Sequence, residues 1–150
     1  GNNIIETRTL SEGSIGEAVV YPRMVLKAAL DCDCKSIILA HNHPGGSLNP
    51  SIQDRDITEK LVSIFAPLQI SVVDHIIVAN INYYSMAEKG NIPLPSPKSI
   101  SYDAVPLSDG KTVREETMGF NAGTLDKDDL EMDSMYFFEQ DGEEEEEWEI

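Results

Sequence analysis

The sequence predicts an α/β fold, a small mixed sheet flanked by helices, followed by an acidic extension. Three observations predict it. Ser36–Ala40 and Ile70–Ala79 are β-branched runs that read as buried strands. Stretches with apolar residues at helical spacing precede each of them. From Pro93 the composition changes, with Pro93, Pro95 and Pro97 at every second position and acidic residues beyond them.

The elements follow in order. Asn2-Asn3 reads as a turn entering a strand, with strand segments over 4–12 and 16–20 around Glu12-Gly13-Ser14. Pro22 suits the first turn of a helix, where its missing N–H would have no partner. Met24, Val25, Ala28 and Ala29 extend that helix over 22–31. Residues 36–40 form a short buried strand. Ser51 is a good N-cap, and Asp54 is the third helical residue, where a carboxylate favours the helix dipole. Ile57, Leu61, Ile64 and Phe65 give the apolar stripe of a helix over 51–65, closed by Pro67. Residues 70–79 are too apolar for an exposed strand. Asn80 and Asn82 bracket a turn, Tyr83-Tyr84-Ser85-Met86 starts a last short strand, and Glu88-Lys89-Gly90 ends it. The resulting order of strands and helices fits a layered α/β arrangement.

Charge divides the chain in two. Residues 1–97 hold 10 acidic and 7 basic side chains, whereas residues 98–150 hold 17 acidic and 4 basic. The second part is read as a solvated, disordered acidic tail that suits a basic protein partner. Within it, Met135-Tyr136-Phe137-Phe138 is an apolar cluster able to dock on a surface, and Glu143–Glu147 is low complexity. Lys and Arg form no stripe or patch, so direct nucleic-acid binding is not expected. No apolar run is long enough to span a bilayer and no signal peptide is seen, which sets a cytoplasmic protein as the expectation. Cys32 and Cys34, the only cysteines, are expected as reduced thiols near a helix end, since Cys-x-Cys is poor disulfide geometry.

The chemistry concentrates in His41-Asn42-His43-Pro44, followed by Gly45, Gly46, Asn49 and Pro50, then Ser51 and Asp54. Residues two apart on an extended segment project from one side, so both imidazoles reach a common point. Asp54 approaches from the next helix. Two His and one carboxylate, with a position left for water, is the ligand set of a hydrolytic zinc site. Ser51 sits one turn before Asp54, where its hydroxyl could meet a developing oxyanion. The competing reading of Ser51 and Asp54 is a helix capping box, which leaves the two histidines unexplained.

His-x-His-Pro, six residues, then Ser-x-x-Asp resembles the JAMM (JAB/MPN) zinc metallopeptidase signature. Val20-Tyr21-Pro22-Arg23, Ile38 through Gly46, Pro50–Asp54, Asp74-His75-Ile76-Ile77-Val78 and Ser85–Gly90 together resemble the RadC family of bacteria. The resemblance covers about residues 2–92. It implies a JAB/MPN, cytidine-deaminase-like mixed sheet and Zn2+ held by His41, His43 and Asp54, with Ser51 steadying an oxyanion. It divides the chain into a JAB/MPN domain over 1–92, truncated at its N-terminus, and a Pro-containing linker and acidic tail over 93–150. It also implies a glutamate base upstream of Asn2-Asn3-Ile4-Ile5. Glu6, Glu12 and Glu17 do not fall where that pattern places the base.

The expected function is zinc-dependent hydrolysis of peptide or isopeptide bonds in a peptide or protein substrate. The alternative is a non-catalytic, metal-bound interaction module, favoured by the missing glutamate. A nuclease or deaminase on the same ligands is weaker. The contiguous letters HNH do not match the nuclease arrangement, and Cys32-x-Cys34 has the wrong spacing for a deaminase. The family name ties it to DNA repair, although no residue here shows DNA binding. His75 is open to two roles, a partner of the metal ligands or a satisfied core histidine. Arg23 reads as a surface residue at a helix start, within reach of an anionic group.

Overall fold

The computed structural model describes residues 2–10, 18–107 and 134–140. Seven strands and two helices follow in order: β1 (Asn2–Thr9), β2 (Ala18–Val20), α1 (Pro22–Asp31), β3 (Ser36–Asn42), α2 (Ile52–Phe65), β4 (Ser71–Ala79), β5 (Asn82–Ser85), β6 (Val105–Leu107) and β7 (Ser134–Gln140). Glu12, Glu17 and the Glu143–Glu147 run lie outside the described residues. The mixed α/β architecture and both helices agree with the sequence reading. The strand over 36–40 runs on to Asn42, which puts His41 on the strand itself.

The main sheet has the order β1-β7-β3-β4-β5. β3 and β4 run parallel, while β7 is antiparallel to both β1 and β3, and β5 is antiparallel to β4. A small second sheet pairs β2 with β6. The cluster Met135–Phe138, read as a segment that docks on a surface, instead supplies backbone to an internal strand. Phe137 pairs with both Glu6 and Ile37. The segments 105–107 and 134–140 thus join the sheets from beyond the proline-rich stretch.

One core unites both helices with β3. Val25, Ala28 and Ala29 of α1, Ile37 and Leu39 of β3, and Ile57, Leu61 and Phe65 of α2 pack together. Val105 and Leu107 of β6 complete it. Burying each large aliphatic or aromatic side chain contributes about 1.5–3 kcal/mol. The free thiols Cys32 and Cys34 sit at the end of α1, as expected, and both donate to the Ala29 carbonyl. Burial pushes the Cys34 thiol up.

β4 carries the departure that matters for function. Ile37 pairs with Val72 but Ile38 with Asp74, so Val73 is an extra residue. This bulge breaks the two-residue alternation, and the consecutive Asp74 and His75 are both buried. Asp74 Oδ1 accepts from the His75 N–H at 2.7 Å and the Ala87 N–H at 2.8 Å, and Oδ2 accepts from the Ser85 hydroxyl. The closing segment 85–90 is therefore tied to β4. Met86 is fully buried, and its N–H donates to His75 O at 3.1 Å.

Two outcomes follow. Asp74→Ala strands several buried donors and should lower unfolding stability in urea by about 2–4 kcal/mol; a change below about 0.5 kcal/mol would contradict the tie. Truncation after residue 133 removes the only described partner strand of β1. Amide exchange should then lose protection across residues 3–9 while residues 37–41 keep it through β4.

Candidate metal centre

The sequence places the site where β3 leaves the sheet. Ile37, Leu39, His41 and His43 are buried at alternate positions, so the two imidazoles share the core-facing side. The His43 N–H still donates to Val78 O at 2.8 Å, which holds it in line with the strand. Ligands at the carboxyl end of a parallel strand match the usual place of sites in such sheets. The loop after His43 turns tightly, with Gly46 N–H donating to His43 O at 3.0 Å and Gly46 at φ +79. A left-handed residue at this point favours glycine. The turn brings the Ser47 carbonyl to His43 Nδ1 at 2.7 Å. A carbonyl only accepts, so His43 carries a proton on Nδ1 and turns Nε2 inward.

Asp54 arrives on the first turn of α2. The capping box is complete: the Asp54 N–H donates to Ser51 Oγ at 3.0 Å, and the Ser51 N–H donates to Asp54 Oδ2 at 2.7 Å. The capping and ligand readings of this pair are therefore compatible. Oδ2 serves the cap, and the fully buried carboxylate faces both imidazoles. His43 Nε2 lies 3.1 Å from Oδ2, and His41 Nε2 lies 3.0 Å from Oδ1.

Those atoms test whether a cation fits. The ligand atoms of His41, His43 and Asp54 all lie within 4.8 Å of one another. His41 Nε2 and Asp54 Oδ1 are buried and have no hydrogen-bond partner among the described residues. Orphaned buried polar atoms are costly, and these two point at each other. A cation between the three side chains would satisfy both, so the donor set fits a metal. Burial pulls the Asp54 carboxyl upward, but His41 and His43, whenever they carry a proton on Nε2, and the Ser51 N–H outweigh it and hold it well below the usual carboxylate range.

Of the residues singled out by sequence, the fold brings His41, His43, Asp54 and Ser51 together. It also adds His75, which is buried and whose Nε2 lies 2.8 Å from His41 Nδ1. Glu6 is not brought in: it accepts from Arg8 on β1, and β7 separates β1 from β3. Arg23 is exposed, 5.9 Å over the Tyr21 ring. Sequence reasoning missed Thr58, whose hydroxyl lies 2.6 Å from His75 Nδ1. Its signal was available, since Thr58 is one turn after Asp54 and interrupts the apolar stripe next to Ile57.

Burial, and then the neighbouring His41, pull His75 down from 6.5 to about 3. A base with a lowered folded-state value stabilises the fold fully above its unfolded value and loses that contribution as pH falls toward the folded one. In the metal-free protein, stability should fall between pH 6.5 and 3 by up to roughly 1.4 kcal/mol per pH unit. The lowered Asp54 acts with the same sign below its ordinary 3.8. Urea titrations at several pH values check this, and a flat wild-type profile from pH 6.5 to 4 would sink it. His75→Asn should flatten that part of the profile.

The family described as a RadC-like JAB domain matches residues 1–91. A UPF0758 protein of Histophilus somni is 42% identical over 89 residues, covering 59% of this chain and 40% of that protein. One of Methanococcoides burtonii is 46% identical over 91 residues, covering 61% and 40%, and one of Chlorobium chlorochromatii is 39% identical over 89 residues, covering 59% and 40%. The matched part spans about two fifths of the length of these relatives. With its sheet, helices and His-His-Asp cluster in place, the chain belongs to the RadC-like JAB domain family.

Proposed function

We propose that this chain carries a zinc site for hydrolysis of peptide or isopeptide bonds in a protein substrate. The observation that carries the reading is the buried His41–His43–Asp54 cluster, with inward-facing atoms that a cation would satisfy. When bound, Zn2+ supplies a water of lowered pKa, near about 7, and polarises a carbonyl. His41 and His43 offer neutral nitrogen and Asp54 an anionic oxygen, which suits zinc. The Ser51 hydroxyl oxygen is occupied in accepting from the Asp54 N–H. Its proton remains to meet an oxygen that gains charge during acyl transfer.

The 17 acidic against 4 basic side chains of residues 98–150 favour a second reading, a metal-bound interaction module with acidic residues of that segment meeting a basic protein. Nucleic acid is not part of either reading, because the sequence holds no run or stripe of Lys and Arg. Two reduced thiols fit a cytoplasmic setting.

Purified wild-type chain should hold zinc in equimolar amount, and His43→Ala should hold none. A wild type that binds no zinc removes both readings. Zinc-dependent cleavage of peptide or isopeptide substrates supports the first. There Ser51→Ala should slow turnover by about 10²–10³-fold and cost about 1 kcal/mol of stability through the lost cap. Zinc bound without turnover, together with capture of a basic partner, establishes the module.

A further inference from the structure

We propose that Thr58 and His75 are positioning residues that lock His41 in the tautomer whose Nε2 lone pair faces the metal position. The proposal rests on the metal-site reading above and concerns the hydrogen bonds behind it.

A hydroxyl has one hydrogen to give, and a carbonyl oxygen has none. Thr58 Oγ1 lies 2.6 Å from Asp54 O, one helical turn back, and 2.6 Å from His75 Nδ1. Asp54 O can only accept, so the Thr58 hydrogen goes there. The other neighbour of that hydroxyl, Met86 Sδ at 3.8 Å, is a weak acceptor that does not compete. The Thr58 oxygen must then accept from His75, which fixes the His75 proton on Nδ1. His75 is buried, and a cation there would be costly. It is therefore neutral, with a bare Nε2. That nitrogen accepts from His41 Nδ1 at 2.8 Å. With its one proton on Nδ1, the neutral His41 leaves Nε2 bare, the atom that sits 3.0 Å from Asp54 Oδ1 without a hydrogen bond.

Every step points one way because it starts at a carbonyl that cannot reverse. The starting carbonyl belongs to Asp54, so the backbone of one ligand residue sets the tautomer of another. His43 reaches the same state more directly, through Ser47 O. Replacing the Thr58 hydroxyl with a methyl group removes the acceptor for His75 Nδ1–H. His75 can then place its proton on Nε2 and donate to His41 Nδ1. That forces the His41 proton onto Nε2, the side a metal needs bare. Outer partners of ligating histidines typically control metal affinity by about 10–100-fold.

The test uses the full 150-residue chain, ¹⁵N-labelled and metal-free at pH 8, with long-range ¹H–¹⁵N correlations that locate the imidazole protons. Wild type should show His41, His43 and His75 all protonated on Nδ1. Thr58→Val should move the His75 and His41 protons to Nε2 and weaken zinc binding, read by competition with a chromophoric chelator, by about 10–100-fold. Thr58→Ser should restore both readouts, which loss of packing alone would not permit. A wild-type His75 protonated on Nε2 overturns the proposal without recourse to any variant. So does a folded Thr58→Val chain with unchanged tautomers and zinc affinity. The stated tautomers without zinc binding would refute the metal reading alone, and zinc binding with the reverse tautomers would refute the relay alone.

Discussion

The carboxylate of Asp54 joins two systems that would otherwise be independent. On one side it closes the capping box with Ser51 and so fixes the first turn of α2. On the other it faces His41 and His43 at the end of β3. A capping carboxylate also meets the positive end of the helix dipole, which favours its charged form. Helix start, strand end and the intervening loop are therefore held to one point. The loop contributes in turn by presenting Ser47 O to His43.

The bulge at Val73 is the second constraint. A regular strand would alternate Asp74 and His75 between faces, leaving one of them away from the core. With the extra residue both are buried, and each satisfies a different need. Asp74 gathers donors from the end of β5 and the residues after it, and His75 connects β4 to His41 on β3 and to Thr58 on α2. Buried polar groups of this kind are tolerable only when their partners are supplied. Here the partners come from three separate elements, so the network also specifies how β4, α2 and the closing segment fit together.

The same sheet shows why the site and the upstream carboxylates stay apart. β7 enters between β1 and β3, antiparallel to both. Glu6 on β1 is thereby a strand removed from the cluster and is engaged by Arg8. The metal position and its candidate oxyanion donor are thus built from β3, the following loop and α2. Their geometry does not draw on β1.

Local elements and the His-His-Asp pattern were legible in the chain alone. Periodicity located α1 and α2, β-branched runs located β3 and β4, and the spacing of His41, His43, Ser51 and Asp54 located the site, because each of these follows from geometry within a short span of chain. The rest came from contacts between elements, visible in the folded chain. The fold settled that Asp54 closes the cap with Ser51 and faces both imidazoles at once, since that depends on which carboxylate oxygen meets which neighbour. It placed Met135–Phe138 inside the sheet, where its partners on β3 and β1 lie about 100 and about 130 residues away in sequence. It also turned His75 and Thr58, two polar residues in otherwise apolar stripes, into one hydrogen-bonded chain. Donor and acceptor roles there are set by distances across three elements, and no single-chain pattern encodes those distances.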